Sequence, residues 1–204
     1  PGKYVNVGNY GVKRPYWIVS APHEGILEFC IERVPGGEMT ARVWTLQRGD
    51  MITVRAKSKG KLWLDLRFAA HLMVATGTGI GPFVSMVRAY LQEGRQGHTF
   101  YLVHGARYPE DFAYQTELTH LAALHPHLVT YVPVLSRPAE ARKAEWTGET
   151  GRVSGLVTQY IKQFALAPRS TQLYACGHPG MVREVKERLR QGGFRVQTER
   201  YWKA

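Results

Sequence analysis

The stretch Val74-Ala75-Thr76-Gly77-Thr78-Gly79-Ile80-Gly81-Pro82 decides the fold of this chain of 204 residues. It overlaps the end of an apolar segment, His71 to Ala75, that has the length and composition of a buried strand. The glycines allow a sharp turn, and Pro82 suits the first position of a following helix. Such a helix start offers free N–H groups to a phosphate. A tight structural turn explains the same glycines, and the absence of a following Lys-Ser/Thr excludes a Walker A loop.

Strand and helix patterns alternate from this stretch to the end of the chain. Strands are expected at 71–75, 99–104, 128–135, 172–176 and 194–201, and helices at 82–91, 112–124, 153–164 and 180–191. This alternation is typical of a doubly wound parallel sheet. The first third instead has short β segments between Gly and Pro residues, at 3–7, 14–20, 26–33, 51–55 and 62–66, with one helix at 41–46 that Thr40 would cap. Such spacing indicates an antiparallel barrel or sandwich.

We therefore expect an α/β protein of two domains, residues 1–66 and 67–204. The 23 aromatic residues exclude disorder for most of the chain, and no apolar run is long enough for a membrane span. The only two cysteines, Cys30 and Cys176, exclude a disulfide framework and indicate a reducing, cytoplasmic environment. The histidines have no metal-ligand spacing, so no metal site is expected.

The formal net charge of +11 is unusual and has several interpretations. It would suit nucleic acid, an acidic protein partner or an anionic small molecule, and a solvated basic surface explains it as well. Three cations narrow the choice, because Arg107, Arg137 and Arg152 each follow a predicted strand or open a predicted helix. A single arginine at such a place is usually solvated, but three at one edge of a sheet favour a phosphate site.

A second turn, 174–181, follows a later strand and contains Cys176. A residue at the carboxyl end of a parallel strand faces the crevice where open α/β sheets bind ligands. A small buried hydrophobe is the alternative interpretation of this cysteine. His178, two residues further along a turn, has poor geometry for acting as its base.

In the first domain, Arg14 and Tyr16 share one face of a predicted strand. The tyrosine is suited to stacking on a planar ring and the arginine to neutralising a phosphate. The turn from Gly37 to Thr40 offers a second helix start. A diphosphate with a flat ring system would use both features, whereas a plain aromatic core face is the other interpretation.

Together these motifs resemble the bacterial ferredoxin/flavodoxin–NADP reductase family over nearly the whole chain. The run RPYW at 14–17 is similar to the Arg-x-Tyr-Ser motif that binds FAD, and 27–40 is similar to the strand and turn that complete the FAD site. The stretch 74–82 resembles the pyridine-nucleotide turn. Three shorter runs, at 103–108, 134–137 and 150–153, resemble segments that bind NADP, and 176–182 resembles the nicotinamide-side motif.

The resemblance implies two sets of cofactor contacts. For FAD it implies Arg14, Tyr16, Trp17, Cys30, Ile31, Glu32, Arg33, Glu38, Met39, Thr40, Thr78 and Trp202. For NADP it implies Thr76, Gly77, Gly79, Ala106, Arg107, Ser136, Arg137, Arg152, Cys176, Gly177, Pro179 and Met181. The catalytic residues would be Tyr16, Trp17 and Cys176, beside the reacting rings.

The implied activity is that of a monomeric, FAD-dependent oxidoreductase that moves hydride between NADPH and flavin N5. Single electrons would pass between the flavin and an acidic ferredoxin or flavodoxin. The cofactors supply the chemistry, so no acid–base triad is needed. Ser136, Arg137 and Arg152 favour NADPH because they suit a 2′-phosphate, and the remaining positive charge would steer the acidic partner.

Two departures from the family pattern affect this interpretation. Trp17 replaces the usual Ser or Thr, and its indole would pack on the flavin, shield it from water or impede nicotinamide stacking. The chain also begins after the strand and a half with which the family's barrel opens, so we expect a partial sequence and an N-terminally incomplete barrel.

Three other functions stay open. The first is an NAD(P)H-linked flavoprotein reductase with another acceptor, and the second is a flavin-binding regulatory protein without turnover. A basic nucleic-acid-binding protein is the third, but no such motif occurs. Its charge is also spread over the chain, with 10 basic against 6 acidic residues in 1–66 and 17 against 10 in 67–204.

Overall fold

The computed structural model describes residues 1–9, 11–138 and 146–200. Its first sheet is antiparallel and has the strand order β2-β1-β3, formed by β1 (Tyr4–Asn9), β2 (Val12–Trp17) and β3 (Thr53–Val54). The short helix α1 (Glu38–Val43) packs against β1 and β2. Val5, Val7 and Met39 form a small buried core between them.

The second sheet is parallel and has six strands in the order β7-β6-β5-β4-β8-β9. They are β4 (Ala70–Thr76), β5 (Thr99–Ala106), β6 (Val129–Leu135), β7 (Glu149–Thr150), β8 (Thr171–Gly177) and β9 (Arg195–Arg200). The helices are α2 (Gly81–Gln92), α3 (Gln115–Leu124), α4 (Val153–Gln163) and α5 (Pro179–Gln191). Short 3-10 turns lie at Pro22–Glu24, Gly77–Ile80 and Pro109–Asp111.

Helices cover both faces of this sheet, as the alternation of strands and helices predicted. In β4, Met73 and Ala75 pack into a core with α2 and α3, whereas Leu72 and Val74 pack into a core with α4 and α5. All four side chains are fully buried. Burial on both faces explains why β4 is continuously apolar rather than alternating. The prediction of a two-domain α/β fold with one antiparallel and one doubly wound parallel part is confirmed.

The strand order also defines where a ligand can enter. From β4 the chain proceeds through β5 and β6 to β7 on one side, then crosses to β8 and β9 on the other side. The change of direction leaves a crevice beyond the carboxyl ends of β4 and β8, at Thr76 and Gly177. Open α/β sheets bind ligands at this kind of position.

Two predicted strands in the first third were wrong. Residues 26–33 are extended but form a single bridge, between Phe29 and Ile18. Residues 62–66 also form no strand, because side chains satisfy backbone N–H groups there: the Glu199 carboxylate accepts from Lys61 N at 2.8 Å and the Gln197 amide oxygen from Trp63 N at 3.1 Å. A strand pattern is therefore not sufficient where no neighbouring backbone is available to pair with it.

The predicted cap of the first helix was also wrong. The helix begins at Glu38 with Gly37 as its cap residue, so Thr40 lies within the helix. The Thr40 hydroxyl instead donates to the carbonyl oxygens of Val34 at 3.2 Å and Gly37 at 3.1 Å. A side chain on residue 37 would lie 2.6 Å from that hydroxyl, which explains the glycine at this position.

A cluster around Arg88 joins the two parts of the molecule. This α2 side chain donates to both carboxylate oxygens of Glu117 on α3 at 2.7 Å. It also contacts Glu28 at 2.6 Å and Glu24 at 3.4 Å, both from the first third of the chain. The Tyr114 hydroxyl donates to the second oxygen of Glu28 at 2.7 Å. These contacts tie residues 24–28 to the helices beside the parallel sheet.

Candidate functional site

A cavity of about 1200 Å³ lies between the three-stranded sheet and β9 of the parallel sheet. Cavities for small ligands usually measure roughly 300–1000 Å³, so this one has room for a dinucleotide. Nine of the twelve predicted FAD contacts line it: Arg14, Tyr16, Trp17, Cys30, Glu32, Glu38, Met39, Thr40 and Thr78. They come from four separate segments of the chain, and the fold brings them together around one space.

Three predicted FAD contacts are not part of this lining. Ile31 and Arg33 lie outside it, because side chains alternate along the extended segment and only Cys30, Glu32 and Val34 reach the cavity. Trp202 lies outside the described residues.

The cavity has further lining residues that are not among the twelve predicted FAD contacts, although Pro15, Val34, Gly36 and Gly37 lie within the predicted flavin motifs. The additional lining residues are Tyr4, Pro15, Val34, Gly36, Gly37, Lys61, Lys186, Thr198, Glu199 and Arg200. Four of them come from α5 and β9 in the second part of the chain. No local motif predicts these four residues, because they reach the cavity through contacts between distant segments, such as those of Glu199 and Gln197 on β9 with the backbone of Lys61 and Trp63.

Trp17 lies at the junction of the two sheets. Its ring meets Tyr4 edge to face, with centroids 5.3 Å apart at 81°, and only 6% of the residue is exposed. The indole belongs to the core shared with α2, where a side chain on Gly81 would contact the Trp17 Cβ at 3.4 Å. Trp17 therefore supports the contact between the two sheets as well as lining the cavity.

Both cysteines are protonated at neutral pH. Burial, with the charges of Glu28 and Glu32, raises the pKa of Cys30 to about 12. Burial and the charge of Glu199 raise the pKa of Cys176 well above its usual value, and this residue is fully buried at the end of β8. A neutral buried thiol is a poor nucleophile, and the Cys176 side chain packs in the core beside α2, so its place beside the reacting ring stays a prediction.

The two glycine turns pack directly against each other at the crevice. A side chain on Gly79 would lie 2.4 Å from the carbonyl oxygen of Cys176, and one on Gly177 would lie 2.2 Å from the Thr76 hydroxyl. That hydroxyl accepts a hydrogen bond from the backbone N–H of His178 at 2.9 Å. Glycine at positions 79 and 177 therefore allows the backbones of the two turns to approach each other closely. Thr76, Gly77 and Thr78 remain half-buried and accessible from the crevice.

His104 supports this turn from inside the protein. Its Nε2 donates to the Gly77 carbonyl oxygen at 3.0 Å, and its Nδ1 accepts from the Tyr131 hydroxyl at 3.2 Å. Complete burial lowers the pKa of His104 to about 4, so the ring is neutral at pH 7. Sequence reasoning gave this histidine no role, because its contact with Gly77 joins residues 27 positions apart.

The three arginines predicted at the edge of the sheet follow three neighbouring strands. Arg107 comes directly after β5, Arg137 two residues after β6, and Arg152 two residues after β7. Strand β7, which was not predicted, pairs with β6 so that Thr150 lies beside Leu135. Neighbouring strands are about 4.8 Å apart, so the three cations share one edge of the sheet.

The remaining predicted NADP contacts differ in accessibility. The Ser136 hydroxyl donates to the Ala106 carbonyl oxygen at 2.9 Å, so it can offer a ligand only its acceptor side. Pro179, Met181 and Ala106 are buried. The accessible members of the predicted set are therefore the turn at 76–77 and the residues at the ends of β5, β6 and β7.

Comparisons with known proteins agree with this geometry. The family model described as Oxidoreductase NAD-binding domain matches residues 73–187. A flavodoxin/ferredoxin–NADP reductase of Shigella flexneri is 30% identical over 184 residues, which are 86% of this chain and 71% of that protein. The crystal structure of a ferredoxin NADP+ reductase from Neisseria gonorrhoeae with bound FAD and NADP superposes with a TM-score of 0.84 at 30% identity, covering 98% of this chain and 86% of that one. This chain belongs to the ferredoxin–NADP reductase family.

The relatives of this reductase also include electron transfer components of dioxygenases. The toluate 1,2-dioxygenase electron transfer component of Pseudomonas putida is 29% identical over 206 residues. The match covers 100% of this chain but 58% of that protein. Membership of the family therefore establishes an oxidoreductase and leaves its electron acceptor open.

The described part of this reductase contains neither a metal cluster nor a membrane-spanning helix. Within residues 1–9, 11–138 and 146–200, no group of three His, Cys, Asp or Glu side chains could hold a metal ion. Across the same described part of the chain, no helix combines the length and apolar character that crossing a membrane requires.

Proposed function

We propose that this chain transfers electrons between NADPH and a one-electron carrier, ferredoxin or flavodoxin, by way of bound FAD. The observation that supports this most is the single cavity lined by nine predicted FAD contacts from four segments. We propose further that residues 1–66 form the FAD-binding part, that 67–204 form the NADP-binding part, and that the protein is monomeric and cytoplasmic.

The residues around the cavity fit FAD. Arg14 supplies the planar cation that suits a diphosphate, and Tyr16 supplies a ring for stacking on the isoalloxazine. Burial raises the pKa of Tyr16, so its hydroxyl stays protonated and can donate a hydrogen bond. Cys30 is a neutral thiol and would not add to the flavin. Bound FAD would accept hydride from NADPH and release electrons one at a time.

NADPH would bind along the carboxyl edge of the parallel sheet. Thr76, Gly77 and Thr78 would receive the nicotinamide half at the crevice, and His104 would keep this turn in place. Arg107, Arg137 and Arg152 would bind the phosphates at the other end. Three neighbouring cations suit a nucleotide that carries a 2′-phosphate in addition to its diphosphate.

The acceptor would be acidic. The cavity is lined by four cations, Arg14, Lys61, Lys186 and Arg200, and by three glutamates, Glu32, Glu38 and Glu199, and the chain carries a net charge of +11. A positive surface near the flavin raises the association rate with an acidic partner, and added salt lowers it. A second candidate acceptor is an oxygenase partner, because the toluate dioxygenase component matches along the whole of this chain.

A visible spectrum tests the proposal. The purified protein should bind FAD and lose the flavin absorbance when NADPH is added without oxygen, and ferredoxin or flavodoxin should restore it. The variant Arg14→Ala should weaken FAD binding at least about tenfold, because it removes a charge-assisted contact to a phosphate. The matched control is Arg48→Ala, an exposed arginine of the same domain that does not line the cavity. Native protein that binds no FAD, or FAD that NADPH leaves oxidised, would contradict the proposal.

A further inference from the structure

Trp146 lies just before β7 and has no role in the family motifs described above. Its indole stacks on Phe112, with ring centroids 5.3 Å apart at 13°. Its Nε1 donates to the backbone carbonyl oxygen of Glu149 at 2.9 Å. A side chain on Gly148 would lie 2.8 Å from the indole, so the ring covers that glycine directly. One side chain thus closes the turn from 146 to 149.

These contacts connect β7 to the rest of the sheet. Phe112 packs with Ala106 at the end of β5 and Leu135 at the end of β6, and Trp146 completes that small cluster. The backbone pairing of β7 is short, since only Glu149 and Thr150 face β6, and both are exposed. A two-residue edge strand is weakly held by pairing alone. The packing of Trp146 therefore supplies a large part of what fixes β7 to the sheet.

The position of β7 determines where Arg152 lies. Gly151 donates to the Leu135 carbonyl oxygen at 2.9 Å, and Arg152 follows immediately at the start of α4. Arg107 and Arg137 occupy the two neighbouring strand ends, so three like charges share one edge. Like charges repel one another, and the cation on the outermost strand moves away most easily unless its segment is fixed.

We propose that Trp146 is a positioning residue that sets the preference for nucleotides with a 2′-phosphate. By fixing β7 on β6, it keeps Arg152 beside Arg137, where one phosphate can contact both. The inference rests on the proposed use of NADPH by this chain. We expect Trp146 to affect binding of the 2′-phosphate end of the nucleotide and not of its nicotinamide end. Trp146 lies at the ends of β5–β7, whereas the crevice proposed for the nicotinamide half lies between β4 and β8.

Calorimetric titration of the protein with two adenosine phosphates tests this inference. Adenosine 2′,5′-bisphosphate and adenosine 5′-monophosphate differ only in the 2′-phosphate. Trp146→Ala should weaken binding of the bisphosphate about tenfold, the factor expected for losing an aromatic contact and a hydrogen bond that order the site. Binding of the monophosphate should change less than about twofold. Trp146→Phe should retain most of the preference, because stacking on Phe112 remains.

A second variant moves the indole without removing it. In Gly148→Ala the new methyl group would lie 2.8 Å from the ring, so the indole must shift and the bisphosphate should again bind more weakly. This variant tests the inference even if Trp146→Ala does not fold. Trp44→Ala, an exposed tryptophan in the first domain, is the matched control and should leave both affinities unchanged.

Steady-state kinetics separates positioning from general damage. Both Trp146→Ala and Gly148→Ala should raise the KM for NADPH relative to that for NADH and leave kcat within about twofold, since the crevice is unchanged. Native protein that does not prefer the bisphosphate would contradict the proposed NADPH specificity. Native protein that prefers it, with variants that keep the same preference, would overturn the role of Trp146 alone.

Discussion

The two parts of this molecule bury their apolar residues to different extents. In the second part, β4 and its neighbours lie between two helical layers, and the strands are buried on both faces. In residues 1–9 and 11–66, the buried apolar members of the core of the three-stranded sheet are Val5, Val7 and Met39. Among the described residues, seven of the eight large exposed hydrophobic ones lie in this first part: Ile26, Leu27, Val34, Trp44, Met51, Ile52 and Trp63.

Residues of the first part also belong to the core of the second part. Trp17, Val19 and Leu62 belong to the large core under α2 rather than to the core of their own sheet. The Arg88 cluster adds polar contacts across the same junction. The cavity lies at that junction, so its shape depends on how the two parts pack and not on the first sheet alone.

The largest expected effect is the loss of stability when a phenylalanine is removed from the large core under α2, compared with one beside the small core of the three-stranded sheet. Phe100→Ala should lower the free energy of unfolding by about 3–5 kcal/mol, because Phe100 is fully buried among the rings of His71 and Tyr90. Phe29→Ala should cost only about 1 kcal/mol, since Phe29 is half-buried beside the small core. Urea unfolding of both variants measures the difference. Equal losses would mean that the two cores contribute alike.

The next largest effect is the loss of stability when the Arg88 contacts between the two parts are removed. Arg88→Met should cost about 2–3 kcal/mol, less than a fully buried ion pair, because the carboxylates of Glu28 and Glu117 are about a third exposed. Burial raises the pKa of Glu28, but hydrogen bonds from Arg88 and Tyr114 outweigh it and the pKa is lowered. The stability that Glu28 contributes is therefore present at neutral pH and lost as the pH falls below its usual pKa.

Unfolding of native protein and Arg88→Met at pH 7 and pH 3 tests this effect. The stability difference between them should shrink at pH 3. Arg95→Met removes an exposed contact to Glu93 just after α2 and serves as the control, with a cost below about 0.5 kcal/mol. A difference that stays constant with pH would exclude the carboxylate contacts as its cause.

The smallest effect concerns acid sensitivity of the second part. Burial holds the pKa of His104 at about 4, below the ordinary 6.5, so the folded state favours the neutral ring. The stability this provides is present above pH 6.5 and is lost as the pH falls toward 4. His104→Gln keeps a donor for Gly77 but removes the titration, so it should lose about 1–2 kcal/mol less than native protein between pH 7 and pH 5.

The contribution of His104 to acid sensitivity must be distinguished from that of another buried histidine, His71. His71 is also fully buried, with a pKa lowered to about 4 by burial and by His98, so native protein and His104→Gln both retain its contribution. His120→Gln changes a histidine on the exposed side of α3 and should leave the pH dependence as it is. Identical acid profiles for native protein and His104→Gln would show that folding does not lower the pKa of His104.

The parallel sheet could be predicted because its signals are local. The strand at 71–75 and the helix at 82–91 are observed as Ala70–Thr76 and Gly81–Gln92, since a continuous apolar run and a glycine turn specify both elements within a few residues. The segments at 26–33 and 62–66 also have strand patterns. They form no strands, because a strand requires a partner backbone, and the sequence pattern contains no information about that partner.

The candidate site likewise contains residues that local motifs predict and residues that only tertiary packing brings there. Motif resemblance identified nine residues that line the cavity, but not Tyr4, Lys186 or Glu199, which reach it only through packing. It identified three arginines, but not the two-residue strand that brings Arg152 next to Arg137. Contacts such as His104 to Gly77 depend on strands that are adjacent in the sheet and distant in the chain.

By itself the sequence determined the order of the helices and of the strands other than β7 in 67–204, the two glycine turns and the family resemblance. These features depend on periodicity and residue type within one short segment, so each can be recognised without knowing what the segment packs against. Tertiary structure alone decided which backbones pair, which side chains of 1–66 join the larger core, and how β7 and Trp146 complete the arginine edge. Those outcomes depend on contacts between distant segments, whose free energy is available only when both segments are in place.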